Sequence, residues 1–432
     1  MRKILVWAAL GLSMILIPGC GGSRSQVLKV YNWFNYIDPT VIPEFEAWYK
    51  QQTGETVKVQ YKEYETNHEL LSALENDNKD YDVVSPSDYI VERMLNNNAI
   101  LPIDMNFGNT PNYISLTAPF LKEHFKGLSK DVDANQFAVA NMWGTTGILY
   151  NADYVKDGDS HTWNIIRNFK YRDRILVKDS PRDVYSQIIL AVKDKDIQKG
   201  LVTPQELMYY TGEENLALVE QFLMNVKELV LSWDAVDDKN KMVEEEGYVD
   251  LTWNGEAVQA IEEAAQYGVK LRFSLPDEGF TLWFDGWVIP KNAVNVKAAR
   301  YWINFMCKPD IAIRNSDVTG YVSACGSSDV LEHFIDNRFP VRDLSYFFGP
   351  GADSVRVNPV MFPDKSEIAR SVIEHDWGDN TQLLHDMWAR VIGKERRNTF
   401  WYFCGIFVLV GGGVFALLRR KRVSVQLKTR KK

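Results

Sequence analysis

Strand-like and helix-like segments alternate along most of this chain, and that alternation limits the fold more than any other feature. The segment VLKVYNW from Val27 has a strand pattern, and the residues after it place Val41, Phe45 and Trp48 on one helical face that ends at Gly54. The segments YDVVSPSDYIVERM and RILVKDSPRDVYSQIILAV repeat this order of strand, loop and helix. Such alternation predicts a mainly parallel sheet with helices on both faces.

The length of 432 residues is too great for one core and suggests two or three domains. Two α/β regions follow each other without a low-complexity linker. We therefore expect two lobes that are joined by several short crossings, with a cleft between them. In an open α/β sheet the ligand binds beyond the carboxyl ends of the strands.

Both ends of the chain carry membrane-related patterns. Residues 1–20 have a basic start, an apolar run and a Pro-Gly-Cys sequence, which predict a secretory signal. Cys20 follows a small residue, as in a lipoprotein cleavage box, so Cys20 is a candidate for lipidation; an uncleaved anchor is the alternative. Near the other end, residues 400–418 carry no charge and are long enough for a bilayer core of ~30 Å.

Basic residues flank that apolar segment, and the heavier positive flank is C-terminal. This predicts a transmembrane helix at 400–418 and a basic cytoplasmic tail at 419–432. A buried core helix is the alternative. The rest of the chain then lies outside the membrane, as the export signal requires.

The net charge of −8 includes this basic tail, so the body itself is more acidic. An acidic body argues against a nucleic-acid partner and favours cationic ligands. Export also permits a disulfide between Cys307 and Cys325, although the sequence leaves their pairing open. No Cys/His cluster has the spacing of metal ligands, so we expect no metal and no cofactor.

Aromatic residues and carboxylates recur where the predicted strands end. Each one alone has an ordinary explanation, because such aromatics often pack in a core and such aspartates often cap a helix. Their recurrence is what indicates a site for an organic cation: an ammonium over an aromatic face gains ~0.5–2 kcal/mol, and carboxylates offset the cost of burying it. The candidates are Trp33, Tyr36, Ser87, Tyr89, Asp183, Trp253, Trp283, Asp285 and Tyr321.

Several segments together resemble the periplasmic spermidine/putrescine-binding proteins of bacterial ABC transporters, over nearly all of residues 27–390. The matching segments, in order, are VYNWFNYIDP, YDVVSPSDYIVERM, NMWGTTGILYN, DSPRDVYSQ, TWNGEA, LWFDGWVIPKNA, INFMCKPDIA and TGY. The resemblance implies a two-lobe periplasmic-binding-protein fold, type II-like, with a polyamine in the cleft and permease and ATPase subunits as partners.

The predicted fold class is therefore α/β, with two lobes and an added C-terminal transmembrane helix. We expect lobe 1 to comprise 27–137 with 283–325, and lobe 2 to comprise 138–282 with 326–393. The protein would lie on the periplasmic side of the bacterial inner membrane, anchored by the span and by a lipid at Cys20.

The resemblance also implies roles for the candidate residues. The aromatic walls would be Trp33, Tyr36, Tyr89, Trp253, Trp283 and Tyr321. Asp285 would pair with an amino group, Ser87 would add a polar contact, and Asp183 stands where the family has a glutamate. Three positions depart from the family: Ser180 replaces a second carboxylate, Phe34 replaces a small hydroxyl residue, and Gly378 replaces a glutamine.

The sequence predicts a binding protein rather than an enzyme. It contains no HExxH or GxSxG motif, no P-loop, and no GxGxxG that opens a helix after a strand. The predicted function is an extracytoplasmic polyamine-binding component of an ABC importer that closes on its ligand. The alternative is a solute-binding protein or sensor for a different cationic or small polar ligand.

Overall fold

The structure is a computed structural model that describes residues 24–76, 80–234 and 237–393. The strands, numbered in chain order, are β1 (Val27–Trp33), β2 (Lys58–Tyr64), β3 (Val83–Val84), β4 (Ile100–Leu101), β5 (Ala138–Asn151), β6 (Ile175–Val177), β7 (Val230–Trp233), β8 (Val249–Trp253), β9 (Leu271–Ser274), β10 (Phe280–Pro290), β11 (Val322–Ser323), β12 (Val341–Arg342), β13 (Val355–Arg356) and β14 (Ser371–Val372).

The α-helices are α1 (Val41–Thr53), α2 (Asn67–Leu71), α3 (Asp88–Asn96), α4 (Pro119–Gly127), α5 (Pro181–Gln198), α6 (Glu213–Val226), α7 (Asp238–Val243), α8 (Asn254–Gln266), α9 (Val296–Met306), α10 (Pro309–Thr319), α11 (Ser328–Phe334), α12 (Ser345–Phe348) and α13 (Lys365–Ile368). Residues 381–393 are also helical, and short 3-10 turns such as Trp163–Arg167 connect other elements.

The main sheet has the strand order β2-β1-β3-β10-β5-β8-β6-β7. At one end β1 pairs in parallel with β2 and β3, and at the other end β6 pairs in parallel with β7 and β8. We call the half around β1–β3 and its helices the first lobe, and the half around β6–β8 and its helices the second lobe.

Two long antiparallel strands, β5 and β10, join the lobes. The first part of β5 pairs with β10, from Ala138 opposite Val288 to Thr145 opposite Leu282. The later part of β5 pairs with β8, where Thr146 lies opposite Trp253. The lobes therefore share continuous strands, which place the carboxyl ends of both parallel sets around one cleft.

Apolar side chains alternate between the two faces of the parallel strands, as the pleat of a strand requires. In the first lobe, Val30 packs in the same cluster as Phe45 of α1, whereas the neighbouring Tyr31 packs in the cluster of Phe125 of α4. The second lobe repeats this arrangement, because Leu176 packs toward α7 and α8 while its neighbours in β6 pack toward α5 and α6. Each lobe thus has an apolar cluster on both faces of its sheet, as the alternation in the sequence predicted.

The predicted division of the chain between lobes stays a prediction, but one segment packs differently from that scheme. Residues 344–362, which the prediction placed in lobe 2, include Phe347 and Phe362, and both side chains lie in the apolar cluster of Phe125 and Phe284 in the first lobe. Cys307 and Cys325 are buried and carry free thiols.

The predicted fold class included a C-terminal transmembrane helix, and this element is corrected. Across residues 24–76, 80–234 and 237–393, no helix combines the length and the apolar character needed to cross a bilayer. The predicted signal at 1–20, the span at 400–418 and the tail at 419–432 lie outside the described residues. The described residues form the two α/β lobes.

Candidate ligand-binding cleft

A cavity of about 730 Å³ lies between the two lobes. Its walls come mainly from the carboxyl ends of β1, β2, β3, β6 and β8 and from the middle of β10. Every ligand-binding residue predicted from the sequence lines this cavity: Trp33, Tyr36, Ser87, Tyr89, Asp183, Trp253, Trp283, Asp285 and Tyr321. The fold thus brings residues from distant segments to one cleft, beyond the carboxyl ends of the strands, where ligands of open α/β sheets bind.

Asp285 forms one end of the site. The pairing of β10 with β5 shifts in register between Phe284 and Gly286, and Asp285 lies at this irregularity. There its backbone forms an isolated β-bridge with Ser87 of the first lobe. Such irregularities redirect a side chain out of the regular ladder. The Tyr36 hydroxyl donates to Asp285 Oδ2 at 2.6 Å, and Ser87 Oγ donates to Asp285 Oδ1 at 2.9 Å.

The Asp285 carboxyl is only 3% exposed, and burial raises its pKa to about 7. The hydrogen bonds from Tyr36 and Ser87 act in the opposite direction, because they stabilise the ionised form. Within the described part of the chain, no Lys or Arg forms an ion pair with Asp285. An ammonium group from a ligand would supply the missing positive charge.

Aromatic rings surround this carboxylate. Tyr36 packs on Tyr321 with ring centroids 5.5 Å apart, and Trp283 meets Tyr321 edge-on at 5.1 Å. Trp33 and Trp253 pack against the same group of rings. The site therefore presents several ring faces beside a buried negative charge, which is the arrangement that attracts organic cations.

Two glycines allow Tyr321 to reach its position. A Cβ on Gly255, at the start of α8, would lie 2.2 Å from the Tyr321 ring. Gly320 ends α10 with φ +74°, and a Cβ there would lie 2.5 Å from the Gly255 carbonyl oxygen. The motifs TWNGEA and TGY thus meet in space, and each glycine makes room for the other segment.

Asp183 forms the other end of the site. Pro181 is well suited to the first position of α5, so the helix begins there and Asp183 falls in its first turn. Ser180 Oγ donates to Asp183 Oδ2 instead of capping the helix. Burial raises the pKa of Asp183, against the opposing effects of Ser180, Trp253 and Arg182.

Glu374 and Arg182 belong to this end and were not among the predicted site residues. Burial and the nearby Asp183 raise the pKa of Glu374 to about 7, although Arg182 and Ser186 stabilise its ionised form. Arg182 Nε lies 3.6 Å from Glu374 Oε2, and its guanidinium stacks 4.3 Å from the centroid of Trp377. The motif DSPRDVYSQ contained Arg182, but nothing in the sequence linked it to a carboxylate 192 positions later.

Asp88 is a further buried acid that the prediction left out of the site. Its Oδ1 accepts from the Tyr89 amide at 2.7 Å, and burial together with Glu374 raises its pKa well above the usual range. Asp88 stands in the sequence between the predicted site residues Ser87 and Tyr89, shortly after β3, but an aspartate at such a position also suits a helix cap. Tyr89 is oriented by Asn67, whose amide donates to the Tyr89 hydroxyl at 2.9 Å.

Residues of the two lobes also meet directly at the cleft. The rings of His68 in α2 and His385 lie 5.4 Å apart, and His375 Nδ1 is 3.1 Å from Glu92 Oε2 of α3. The Asp376 amide donates to the same Glu92 oxygen at 3.0 Å. These contacts join residues 375–385 to the first lobe, and local sequence patterns did not indicate them.

The three positions that depart from the expected family pattern all line the cavity. Ser180 contacts Asp183, as described above. Phe34 is 44% exposed, and Gly378 has a φ of +55°. Neither of the last two adds a charge to the site.

A two-lobe α/β fold with a cleft at the strand ends is the architecture of the periplasmic-binding proteins. The family model described as bacterial extracellular solute-binding protein matches residues 44–334. The chain belongs to this family. The family is defined by solute binding and not by catalysis.

Similar proteins include polyamine-binding members. A spermidine/putrescine-binding periplasmic protein of Salmonella typhimurium is 28% identical over 392 residues, which is 90% of this chain and 97% of that protein. A putrescine-binding periplasmic protein of Escherichia coli is 27% identical, with 75% of this chain and 84% of that protein covered.

A solved Listeria monocytogenes structure, assigned to a spermidine/putrescine ABC transporter, shares 25% identity at a TM-score of 0.68 and covers 85% of this chain and 98% of that one. The resemblance to spermidine/putrescine-binding proteins is thereby confirmed, as is the two-lobe fold.

Proposed function

We propose that this protein is the polyamine-binding component of an ABC importer on the periplasmic side of the inner membrane. Its two lobes close on a linear polyamine and present it to a permease that works with an ATPase subunit. The ligand-binding residues of this proposal are those predicted from the sequence, and Asp88 and Glu374 are buried acids beside them. Lipidation at Cys20, which lies outside the described residues, remains an expectation from the sequence.

The observation that carries the proposal is the set of buried carboxyls in an aromatic cleft. Asp285 interacts electrostatically with Asp183 and with Asp88, and Glu374 interacts with both Asp183 and Asp88. Arg182 is paired with Glu374. An excess of buried negative charge is costly unless a cation joins it, so the cleft suits a ligand with more than one ammonium group.

The placement of the two ends supports a closing motion. Asp285 is bonded to Ser87 and Tyr36 of the first lobe, whereas Asp183 belongs to α5 of the second lobe. A ligand with an ammonium at each end would therefore contact both lobes. Its binding would shift the population toward the closed form, which is the form that a permease would recognise.

Calorimetric titration of the purified full-length protein with spermidine, putrescine, spermine and cadaverine tests this function. We expect saturable one-to-one binding of at least one of these amines. A folded sample that binds none of them would contradict polyamine transport. It would favour the alternative, a solute-binding protein or sensor for a different cationic or small polar ligand, and would direct attention to Ser180 and Gly378.

A further inference from the structure

Lys178 is a buried cation next to the cleft. Ligand binding alone gives no reason for a cation of the protein at this position. It follows β6 directly, and its side chain is 1% exposed. Its Nζ forms an ion pair with Glu256 Oε2 of α8. A buried lysine needs such a partner, because an ammonium without one would be too costly away from water.

Glu256 belongs to the cleft as well as to this ion pair. It lines the cavity, and its side chain is 23% exposed there. It lies in the first turn of α8, three residues after Trp253. Without Lys178, Glu256 would offer a further carboxylate to an ammonium group in the cleft.

The ammonium of Lys178 also occupies a position over Trp253. Its Nζ lies 5.5 Å from the centroid of that ring, within the range of a cation–π interaction. Trp253 is one of the aromatic walls, and it also interacts with Asp183 at the second end of the site. One ring and one carboxylate of the cleft are therefore already engaged by a cation that belongs to the protein.

We propose that Lys178 determines specificity, because its ammonium engages the Glu256 carboxylate and a face of Trp253. Asp285 and Asp183 then remain for ligand nitrogens, and a diamine is favoured over a triamine. This inference rests on the proposed polyamine-binding function. It concerns the number of charged nitrogens that the cleft accepts. Glu374 does not change that number, because Arg182 is its partner in the same way as Lys178 is the partner of Glu256.

Two further carboxyls keep Lys178 charged. Burial alone would lower the pKa of the Lys178 amine, but the charges of Glu256, Asp250 and Asp238 outweigh it and raise the pKa. Lys241 lies 3.3 Å from Asp238 and shares part of that charge. The cation is thus a permanent part of the site at neutral pH.

The variant Lys178→Met tests the inference in the full-length protein. It removes the internal ammonium and leaves Glu256 available to the ligand. We expect the ratio of the dissociation constants for putrescine and spermidine to shift toward spermidine by about tenfold or more. The matched control is Lys178→Arg, which keeps the positive charge and should keep the ranking of the wild type.

The double variant Lys178→Met/Glu256→Gln separates charge from packing. If Glu256 is the carboxylate that Lys178 occupies, the gain for spermidine should disappear in the double variant. A gain that persists would contradict the role of Glu256, because it would come from space or hydrophobicity alone.

Glu256→Gln alone gives a decisive result even if Lys178→Met does not fold, since it keeps the cation beside Asp250 and Asp238. We expect the putrescine-to-spermidine ratio to stay within about threefold of the wild type. A selective loss of spermidine affinity of about tenfold or more would overturn the inference, because it would show that the ligand uses Glu256 in the presence of Lys178.

The same titrations distinguish a failure of the proposed function from a failure of the role assigned to Lys178. Wild-type protein that binds neither amine contradicts the proposed function itself. Wild-type protein that binds, with a folded Lys178→Met variant of unchanged ratio, contradicts only the role of Lys178.

Discussion

The two ends of the cleft hold their carboxyls in different ways. At one end the oxygens of Asp285 accept from Tyr36 and Ser87, which are neutral donors. At the other end Asp183 lies beside Glu374, which is paired with Arg182. Among the described residues, the single carboxylate at the first end, Asp285, has no Lys or Arg in an ion pair with it. At the second end, one of the two acids, Glu374, already has Arg182 as its cationic partner. We therefore expect the first end to contribute more to the binding of a polyamine.

The largest effect should follow from Asp285→Asn. The change leaves a ligand ammonium buried without its counter-charge, and we expect a loss of roughly 2–5 kcal/mol of binding free energy by calorimetry. The control is Asp379→Asn, which removes an exposed carboxylate that lines the same cavity. An affinity of Asp285→Asn close to that of the wild type would refute the assignment of this end.

A smaller loss should follow from Asp183→Asn, and this variant tests the comparison directly. A hydrogen bond to a charged group contributes about 1.5–3 kcal/mol, and the negative charge of Glu374, although paired with Arg182, remains nearby. The measurement is the dissociation constant for the preferred polyamine, beside that of Asp285→Asn. If Asp183→Asn cost more than Asp285→Asn, the order of the two ends would be reversed.

The pH dependence of binding should reflect the raised pKa of Asp285, about 7. A ligand ammonium favours the ionised carboxylate, so binding should release a proton near neutral pH. Affinity should be about tenfold weaker at pH 6 than at pH 8 from this group alone. Titrations in buffers of different ionisation enthalpy would measure the proton release.

Glu374→Gln removes one titrating group from that experiment, because the pKa of Glu374 is also raised to about 7. The pH dependence that remains in this variant should come from Asp285 and from Asp183, whose pKa is also raised by burial. The stability of the unliganded protein should change in the opposite direction. An acid with a raised folded-state pKa stabilises the fold below its unfolded pKa, near 4, and that contribution is lost as the pH rises through about 7. A binding affinity that did not vary between pH 6 and pH 8 would contradict the expected pH dependence of binding. A free energy of unfolding that did not fall as the pH rises toward 7 would contradict the expected change in stability.

The smallest effect should come from Trp253→Ala. The ring offers a face to the ligand but is shared with Lys178, so we expect a loss of about 0.5–2 kcal/mol in binding. The variant should remain folded, because Trp253 is only partly buried at the cavity. Thermal unfolding followed by circular dichroism provides the control. A variant that failed to fold would show that Trp253 serves mainly in packing.

Much of the fold and part of the site followed from local patterns. Gly54 ends α1 in the left-handed conformation, with its amide bonded to the Lys50 carbonyl at 2.9 Å, at the position that the helical pattern predicted. Trp33 and Trp253 are the last residues of their strands, so the rule for strand ends was enough to place them in the cleft. Asp285 was predicted from its motif, but the irregularity of β10 that places it beside Ser87 was not predicted.

The sequence by itself determined where strands and helices alternate and which aromatics and acids stand at strand ends, because these properties depend on residues a few positions apart. Only the tertiary structure decided which carboxyls have a cation of the protein beside them. Lys178 reaches Glu256 and Arg182 reaches Glu374 across long stretches of chain, whereas Asp285 meets neutral hydroxyls. The reason is that the energy of a buried charge depends on groups within a few ångströms, and the fold alone determines which distant segments come that close.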